Sequence, residues 1–408
     1  MARLPLAPRI RLRLLLAAAS VGLFAFAAGP VAAADAGASV RPGPSGSNFY
    51  KPPKKLPGGH GTLIWARKAG GIVPLASASS TDLVLYTSKT PQGKPDAVSG
   101  SVSIPNGQPP PGGWPVITWA HGTTGVADSC APTRVRANTP VTPYVTYIDP
   151  ELNAWLDAGY AVVQTDYQGL GTPGPHAYLI GEAEGRSTLD IVRAARQLDP
   201  DIGKRFLIAG HSQGGHAALF AGGEASSYVP DLRLRGTAAY APASHIKEQA
   251  ALLPALTSPS PLSGLAALIV EGASTATAEV NVGRLLSNPA LDLYPQVDKT
   301  CLPQLEASDS FGGLAPSTLL RKNADKKPLF KVLGANNPAV KTSAPILLLQ
   351  GESDTTVYPS FTNTLDTELT DNGDSVNYIT YPGVDHAGVV SAAEADALAF
   401  YERRLPPG

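Results

Sequence analysis

Residues 206–215, FLIAGHSQGG, restrict what this chain can fold into more than any other stretch. An apolar run of strand character leads into G-x-S-x-G, with Ser212 at the centre, and helix-forming residues follow from Gln213 onward. A strand–turn–helix of this kind must turn sharply enough to lift the serine hydroxyl above a sheet edge, which holds the serine at a strained backbone angle. A Cβ two residues to either side would collide with the neighbouring strand or helix, and glycine removes it. The helix beginning at Gln213 also brings unpaired N–H groups and a positive dipole end beside the hydroxyl.

The rest of the chain fits a sheet built around that turn. Residues 83–88 and 97–105 read as an opening antiparallel pair. Residues 115–122, PVITWAHG, form a continuous apolar run, the mark of a strand covered on both faces. Further strands are predicted at 160–167, 205–210, 232–240, 345–351 and 376–383, with helices at 151–159, 187–198 and 213–225. This alternation implies an α/β fold with a mostly parallel sheet and helices on both faces. It breaks over residues 243–343, rich in Ala, Leu and Ser, which read as a largely helical cap inserted over the sheet's carboxyl edge. The core is accordingly expected in two parts, 62–242 and 344–408.

Ahead of the core, Arg3, Arg9, Arg11 and Arg13 precede an apolar run over 14–28, with Ala32, Ala33 and Ala34 offering a small-residue cleavage site. Residues 1–34 thus read as a secretory signal peptide, the run being shorter than the ~20 residues that span a bilayer. An exported, extracellular protein with no integral membrane span is expected. Residues 35–61, dense in Pro, Gly and Ser, read as an extended arm, poorly ordered unless it docks. With 32 basic and 33 acidic side chains the net charge is −1, so no long-range field draws the chain to nucleic acid. The sequence contains no phosphate loop, nucleotide fingerprint or metal-ligand cluster, and neither cofactor nor metal is expected. Two cysteines, Cys130 and Cys301, suffice for one bridge in an oxidising compartment, although two unrelated buried thiols fit the sequence equally.

A serine hydroxyl attacks only when a base takes its proton. Of the seven histidines, His386 follows the last predicted strand, in GVDHAG, and satisfies the Ser…Asp…His chain order of a hydrolase built on such a sheet. His211 should turn its ring away from the attack path, because successive residues in the turn point in different directions. His216 lies one helical turn on, in a packing role; His60 falls in the flexible arm, His176 and His245 in loops, and His121 at a strand end. Asp354, after the 345–351 strand, is the acid expected to orient His386, with Glu352 as runner-up. Asp385 is too close in sequence to fold back onto His386, and Asp366, Asp371 and Asp374 should be solvated. An oxyanion would be met by the N–H of Gln213 and by one from HGTTG (121–125), with Thr123 preferred and Thr124 the alternative.

Taken together, HGTTG…CAP, YAVVQTDYQGLG, GHSQGG, QGESDTTV and DHAG resemble the secretory lipase family of α/β-hydrolases, from about Leu63 onward. The resemblance implies the α/β-hydrolase fold, a late helical cap, triad roles for Ser212, Asp354 and His386, and a Cys130–Cys301 pair. The function expected on that basis is hydrolysis of carboxylic (acylglycerol-type) esters through an acyl-enzyme on Ser212. Its partner would be a small-molecule or lipid ester, with transient contact at a lipid interface through the cap. An acyltransferase using the same triad, a serine peptidase and a binding protein on a dead scaffold are the alternatives.

Overall fold

The computed structural model describes residues 40–408, so the predicted signal peptide and residues 35–39 lie outside the described residues. Among the described residues, nine strands form one sheet: β1 (Leu63–Lys68), β2 (Ala78–Lys89), β3 (Pro95–Pro105), β4 (Trp114–Ala120), β5 (Ala161–Thr165), β6 (Ile202–His211), β7 (Arg233–Tyr240), β8 (Ile346–Gly351) and β9 (Val376–Tyr381). Their spatial order is β1-β2-β3-β5-β4-β6-β7-β8-β9. The β1–β2, β2–β3 and β3–β5 pairs are antiparallel, and every pair from β5 to β9 is parallel. This is the α/β-hydrolase arrangement. β1 is an addition to the sequence reading, as is a C-terminal helix, Glu394–Arg404, which buries Ala397, Phe400 and Tyr401.

The central strands read as apolar runs because both their faces are covered: β4 and β8 are buried at every position. On one face, helices Gly181–Leu198 and Gln213–Tyr228 pack Leu189, Ile191, Ala218 and Ala221 against Val116, Phe206 and Ile208. On the other, helices Asp149–Asp157 and Glu394–Arg404 pack Leu152, Trp155 and Phe400 against Trp119, Leu207 and Leu347. The order reverses around β4, which has β5 on one side and β6 on the other. Loops leaving the carboxyl ends of β4 and β6 therefore flank a crevice, the place where sheets of this type bind ligands. Ala120, the last residue of β4, stands in register with Gly210 of β6.

The arm is docked over its described part. Phe49 is fully buried, the Trp65 indole N–H donates to the Phe49 carbonyl at 3.0 Å, and the Gly43 N–H donates to Ala66 at 2.8 Å. His60 is correspondingly not in a mobile segment: its Nδ1 lies 2.6 Å from the buried Asp190 carboxylate, which also accepts from Ser88 and Tyr228. Asp374 departs from expectation too, since it is buried and accepts the Thr342 N–H at 2.9 Å.

Between β7 and β8 the chain is helical, with helices Ile246–Leu252, Leu262–Ala276 and Lys327–Ala335 and one isolated bridge, Leu286 to Leu320. Leu268, Leu305 and Phe311 are its fully buried centre, joined to Tyr178, Leu179 and Ile180 from the loop ahead of helix Gly181–Leu198. Cys130 and Cys301 are disulfide-bonded, joining this insert to the segment after β4. Among the described residues no helix is long and apolar enough to cross a membrane.

Candidate active site

Ser212 sits between β6 and helix Gln213–Tyr228 with φ 59° and ψ −118°, a conformation that costs roughly 1–3 kcal/mol for a residue with a side chain. Its N–H donates to the Tyr240 carbonyl at 2.9 Å, and its own carbonyl accepts from Ala243 at 3.0 Å, which hold the turn in place. The flanking glycines answer to close approach: a Cβ at Gly214 would stand 1.8 Å from the Ala120 carbonyl oxygen, and one at Gly210 would stand 2.1 Å from that of Gly214. The turn fits against β4 only because both side chains are missing.

Asp354 follows β8 and is buried; His386 follows β9. The His386 Nδ1–H donates to Asp354 Oδ2 at 2.6 Å. The same carboxylate accepts the N–H groups of Thr356 and Val357, each at 2.8 Å, and the Gln350 amide at 3.1 Å. Burial raises the Asp354 pKa, but the His386 contact and these backbone donors outweigh it and leave the carboxyl below its ordinary value. With Nδ1 occupied, Nε2 is the nitrogen left for the cleft that His386 and Ser212 both line. Glu352 accepts instead from Thr380 at 2.8 Å, and Asp385 accepts the Gly388 N–H at 2.8 Å, so neither reaches the ring.

The loop after β4 brings Thr123, and not Thr124, beside Ser212. Thr123 lines both spaces that Ser212 borders and bonds the Tyr178 hydroxyl through its side chain at 2.8 Å. Thr124 is fully buried, its carbonyl accepting the Leu302 N–H at 2.8 Å. Among the described residues, no protein group accepts from the amides of Thr123 or Gln213. Asp166 of the DYQGLG stretch is structural, accepting from Ser99 at 2.5 Å and from the Thr133 N–H at 3.0 Å.

Sequence reasoning missed two supporting groups. His211 does not turn away: its ring centre lies 4.6 Å from that of His386, its Nε2–H donates to the His386 carbonyl at 2.9 Å, and its Nδ1 accepts from the Tyr147 hydroxyl at 2.8 Å. The carbonyl can only accept, which places the proton on Nε2. Below the turn, the buried Glu184 carboxylate meets the Gln213 amide at 2.7 Å, His216 Nδ1 at 3.0 Å and the Leu179 N–H at 2.9 Å. A lone Glu on a helix carries no signal for this role.

Desolvation first, and then the His386 charge, lower the His211 pKa to about 3. In the unfolded chain an ordinary histidine binds its proton near pH 6.5. The unfolded state therefore holds more protons between pH 6.5 and about 3, and stability falls as pH falls through that window. His121, lowered to about 4 by burial, acts in the same direction, whereas Asp166, raised to about 6 by burial, opposes it. Comparing wild type with His211→Gln isolates one contribution. The variant should lose less stability than wild type between pH 7 and pH 4 in urea unfolding; parallel losses would refute the assignment.

Two spaces meet at Ser212. One, of about 250 Å³, is walled by hydrocarbon from the insert, including Ile246, Leu253, Leu265, Ile269 and Leu333. The other, of about 400 Å³, is bordered by Tyr144, Tyr147, Glu306, Asp385 and His386. Among the described residues no group of three or more His, Cys, Asp or Glu side chains could hold a metal ion.

Residues 136–406 match the family model for secretory lipases. The chain belongs to the secretory lipase family. Curated relatives are Lipase 5 of Candida albicans, 28% identical over 203 residues (46% of this chain), and Lipase A of Moesziomyces aphidis, 26% identical over 212 residues (48%). Each alignment spans 42% of the relative's length. Among solved structures, lipase A from Candida antarctica in its closed state superposes with a TM-score of 0.73 at 21% identity, over 85% of this chain and 82% of that one. The rice cell wall degrading esterase LipA from Xanthomonas oryzae gives 0.68 at 19% identity, over 85% and 99%. At such identities the two structures establish the shared fold.

Proposed function

We propose that this secretory lipase family member is an exported serine hydrolase of carboxylic esters, working through an acyl-enzyme on Ser212. The observation that carries the proposal is a strained serine bordering the same cleft as a histidine whose other nitrogen is held at 2.6 Å by a buried aspartate. Ser212 Oγ attacks the ester carbonyl while His386 Nε2 takes its proton, and Asp354 stabilises the imidazolium. The carbonyl oxygen gains negative charge and is met by the free amides of Thr123 and Gln213, at the start of a helix. The intermediate collapses, the C–O bond to the alcohol breaks, and the alcohol leaves with the proton from His386. Water then attacks the acyl-enzyme, giving its proton to His386, which returns it to Ser212 as the free acid departs.

The substrate class follows from the two spaces. The hydrocarbon-walled one suits an acyl chain, which gains about 0.8 kcal/mol for each buried methylene. The other, bordered by tyrosines and carboxylates, suits the alcohol side. The names lipase and esterase on the relatives point the same way. Export rests on the basic-then-apolar N-terminus and the disulfide.

An alkyl fluorophosphonate tests the proposal, since it reacts fastest by far with an activated serine hydroxyl and releases fluoride as the Oγ–P bond forms. One equivalent should attach at Ser212, and turnover of p-nitrophenyl esters should vanish in step with labelling. Label on another residue, or ester turnover that survives full labelling, would reject the reading.

A further inference from the structure

Of the two spaces at Ser212, the one without hydrocarbon walls is set apart by the polar chemistry it leaves unpaired. Its border includes Tyr144, Tyr147, His211, Glu306, Asp385 and His386, and neither lysine nor arginine. The donors there are already engaged. The Tyr144 hydroxyl donates to Glu306 Oε2 at 3.0 Å, the Tyr147 hydroxyl to His211 Nδ1 at 2.8 Å, and His211 Nε2–H to the His386 carbonyl at 2.9 Å. What remains is mainly acceptor. A carboxylate offers about four lone-pair sites, and the Tyr144 hydroxyl occupies one of those of Glu306.

Glu306 is held rigidly. It directly follows the short helix Leu302–Leu305, which opens at the disulfide cysteine Cys301. Its N–H donates to the Leu302 carbonyl at 2.9 Å, and a Cβ at Gly312 would stand 1.9 Å from its carbonyl oxygen. The side chain is half-buried, and among the described residues no basic side chain pairs with it. Burial pushes the Glu306 carboxyl above its ordinary pKa, against the Tyr144 hydrogen bond, which lowers it. The ionised form is therefore short of solvation, a deficit that a positive charge in the space would relieve. Tyr144, 37% exposed, borders the same space, and the face of a tyrosine ring attracts cations.

We propose that Glu306 and Tyr144 select esters whose alcohol carries a positive charge, an amino alcohol of the choline class. The inference rests on the ester-hydrolase reading and adds the chemistry of its leaving group. The acyl chain lies in the hydrocarbon-walled space, the ester carbonyl at Ser212, and the cationic end of the alcohol beside Glu306 and the Tyr144 ring. That charge does not change as the ester bond breaks, so the pairing strengthens binding of substrate and transition state alike and shows chiefly in KM. A carboxylate that only steadied the His386 imidazolium would instead speed all esters equally.

Butyrylcholine and its isostere with a tert-butyl group in place of trimethylammonium match in shape and differ in charge. After correction for their relative rates of hydrolysis by hydroxide, wild-type kcat/KM should favour butyrylcholine about tenfold, and rising salt should shrink the preference. Glu306→Gln keeps an oxygen for the Tyr144 hydroxyl while removing the charge, and should bring the corrected ratio to within about twofold of unity. Tyr144→Leu removes the ring face and should lower the ratio about threefold. Each preference is a ratio within one protein, so a general loss of activity cancels. A corrected wild-type ratio near unity, or a Glu306→Gln variant that keeps the wild-type ratio, overturns the proposal. So does a preference for glycerol monobutyrate over butyrylcholine, which would mark the acceptors as a site for a neutral polyol. If the protein turns over neither ester, the hydrolase reading fails. Calorimetric binding of the two esters to that same protein then decides the charge preference: tighter butyrylcholine upholds it, and equal binding rejects it.

Discussion

Ser212→Ala is expected to lower kcat for ester hydrolysis about 10⁶-fold, and Asp354→Asn about 10⁴-fold, with both proteins unfolding at nearly the wild-type denaturant midpoint. The difference follows from what each side chain contributes. Without the Ser212 hydroxyl no acyl-enzyme forms, and only binding and the amides of Thr123 and Gln213 remain to assist direct attack by water. Asp354→Asn keeps the volume and leaves the ring in place but reverses the preferred hydrogen bond. An amide N–H₂ facing His386 Nδ1 makes that nitrogen an acceptor and moves the proton to Nε2, where it blocks the base. The carboxylate also accepts from Thr356 and Val357 through Oδ1, so the asparagine oxygen can keep those two bonds only by presenting its NH₂ to the ring. The two substitutions should not be additive, because they disable one unit; the double variant should match Ser212→Ala. Measured kcat values that multiply, or an Asp354→Asn enzyme within tenfold of wild type, would show that Asp354 does not orient the base.

Those expectations could be framed before any coordinates because the chemistry sits where chain order is most informative. Strands β4 and β8 are legible as unbroken apolar runs, and Asp354 and His386 each follow a recognisable strand. What stayed hidden depends on side chains meeting across elements far apart in the chain. His211 is the last residue of β6, and its ring meets the His386 carbonyl 175 positions further along the chain, a contact that only the packing of the loop after β9 against the end of β6 creates. Glu184 is an ordinary helix residue until helix Gly181–Leu198 is laid against the turn, and Tyr147 is one until its hydroxyl meets the ring of His211. The arm's Pro and Gly content describes its backbone freedom but not the slot beside Trp65 that Phe49 fills.

Replacing both Cys130 and Cys301 by alanine should cost up to about 5 kcal/mol of stability, the chain-entropy value for a link spanning 171 residues. The figure is an upper limit, because an unfolded chain already partly compact gains less freedom when the link is cut. The consequences should reach the active site before the fold is lost. Cys130 follows the loop that carries Thr123 and Thr124, and Cys301 opens the short helix whose Leu302 N–H bonds the Thr124 carbonyl at 2.8 Å. The space at Gly125 is so close that an added Cβ would lie 2.9 Å from the Cys130 sulfur. Bridge and hydrogen bond together pin that loop to the insert, and with the bridge gone only the hydrogen bond and apolar contacts hold it. A donor to the developing oxyanion is worth about 3 kcal/mol when correctly placed. Loosening Thr123 should therefore reduce kcat at temperatures where the sheet remains intact. The double variant should show a lowered urea midpoint and a somewhat steeper slope, because the unlinked unfolded chain exposes more surface, and a loss of ester turnover setting in several degrees below the loss of secondary structure by circular dichroism. Coincidence of the two transitions would confine the bridge to global stability, and an unchanged midpoint would remove even that role.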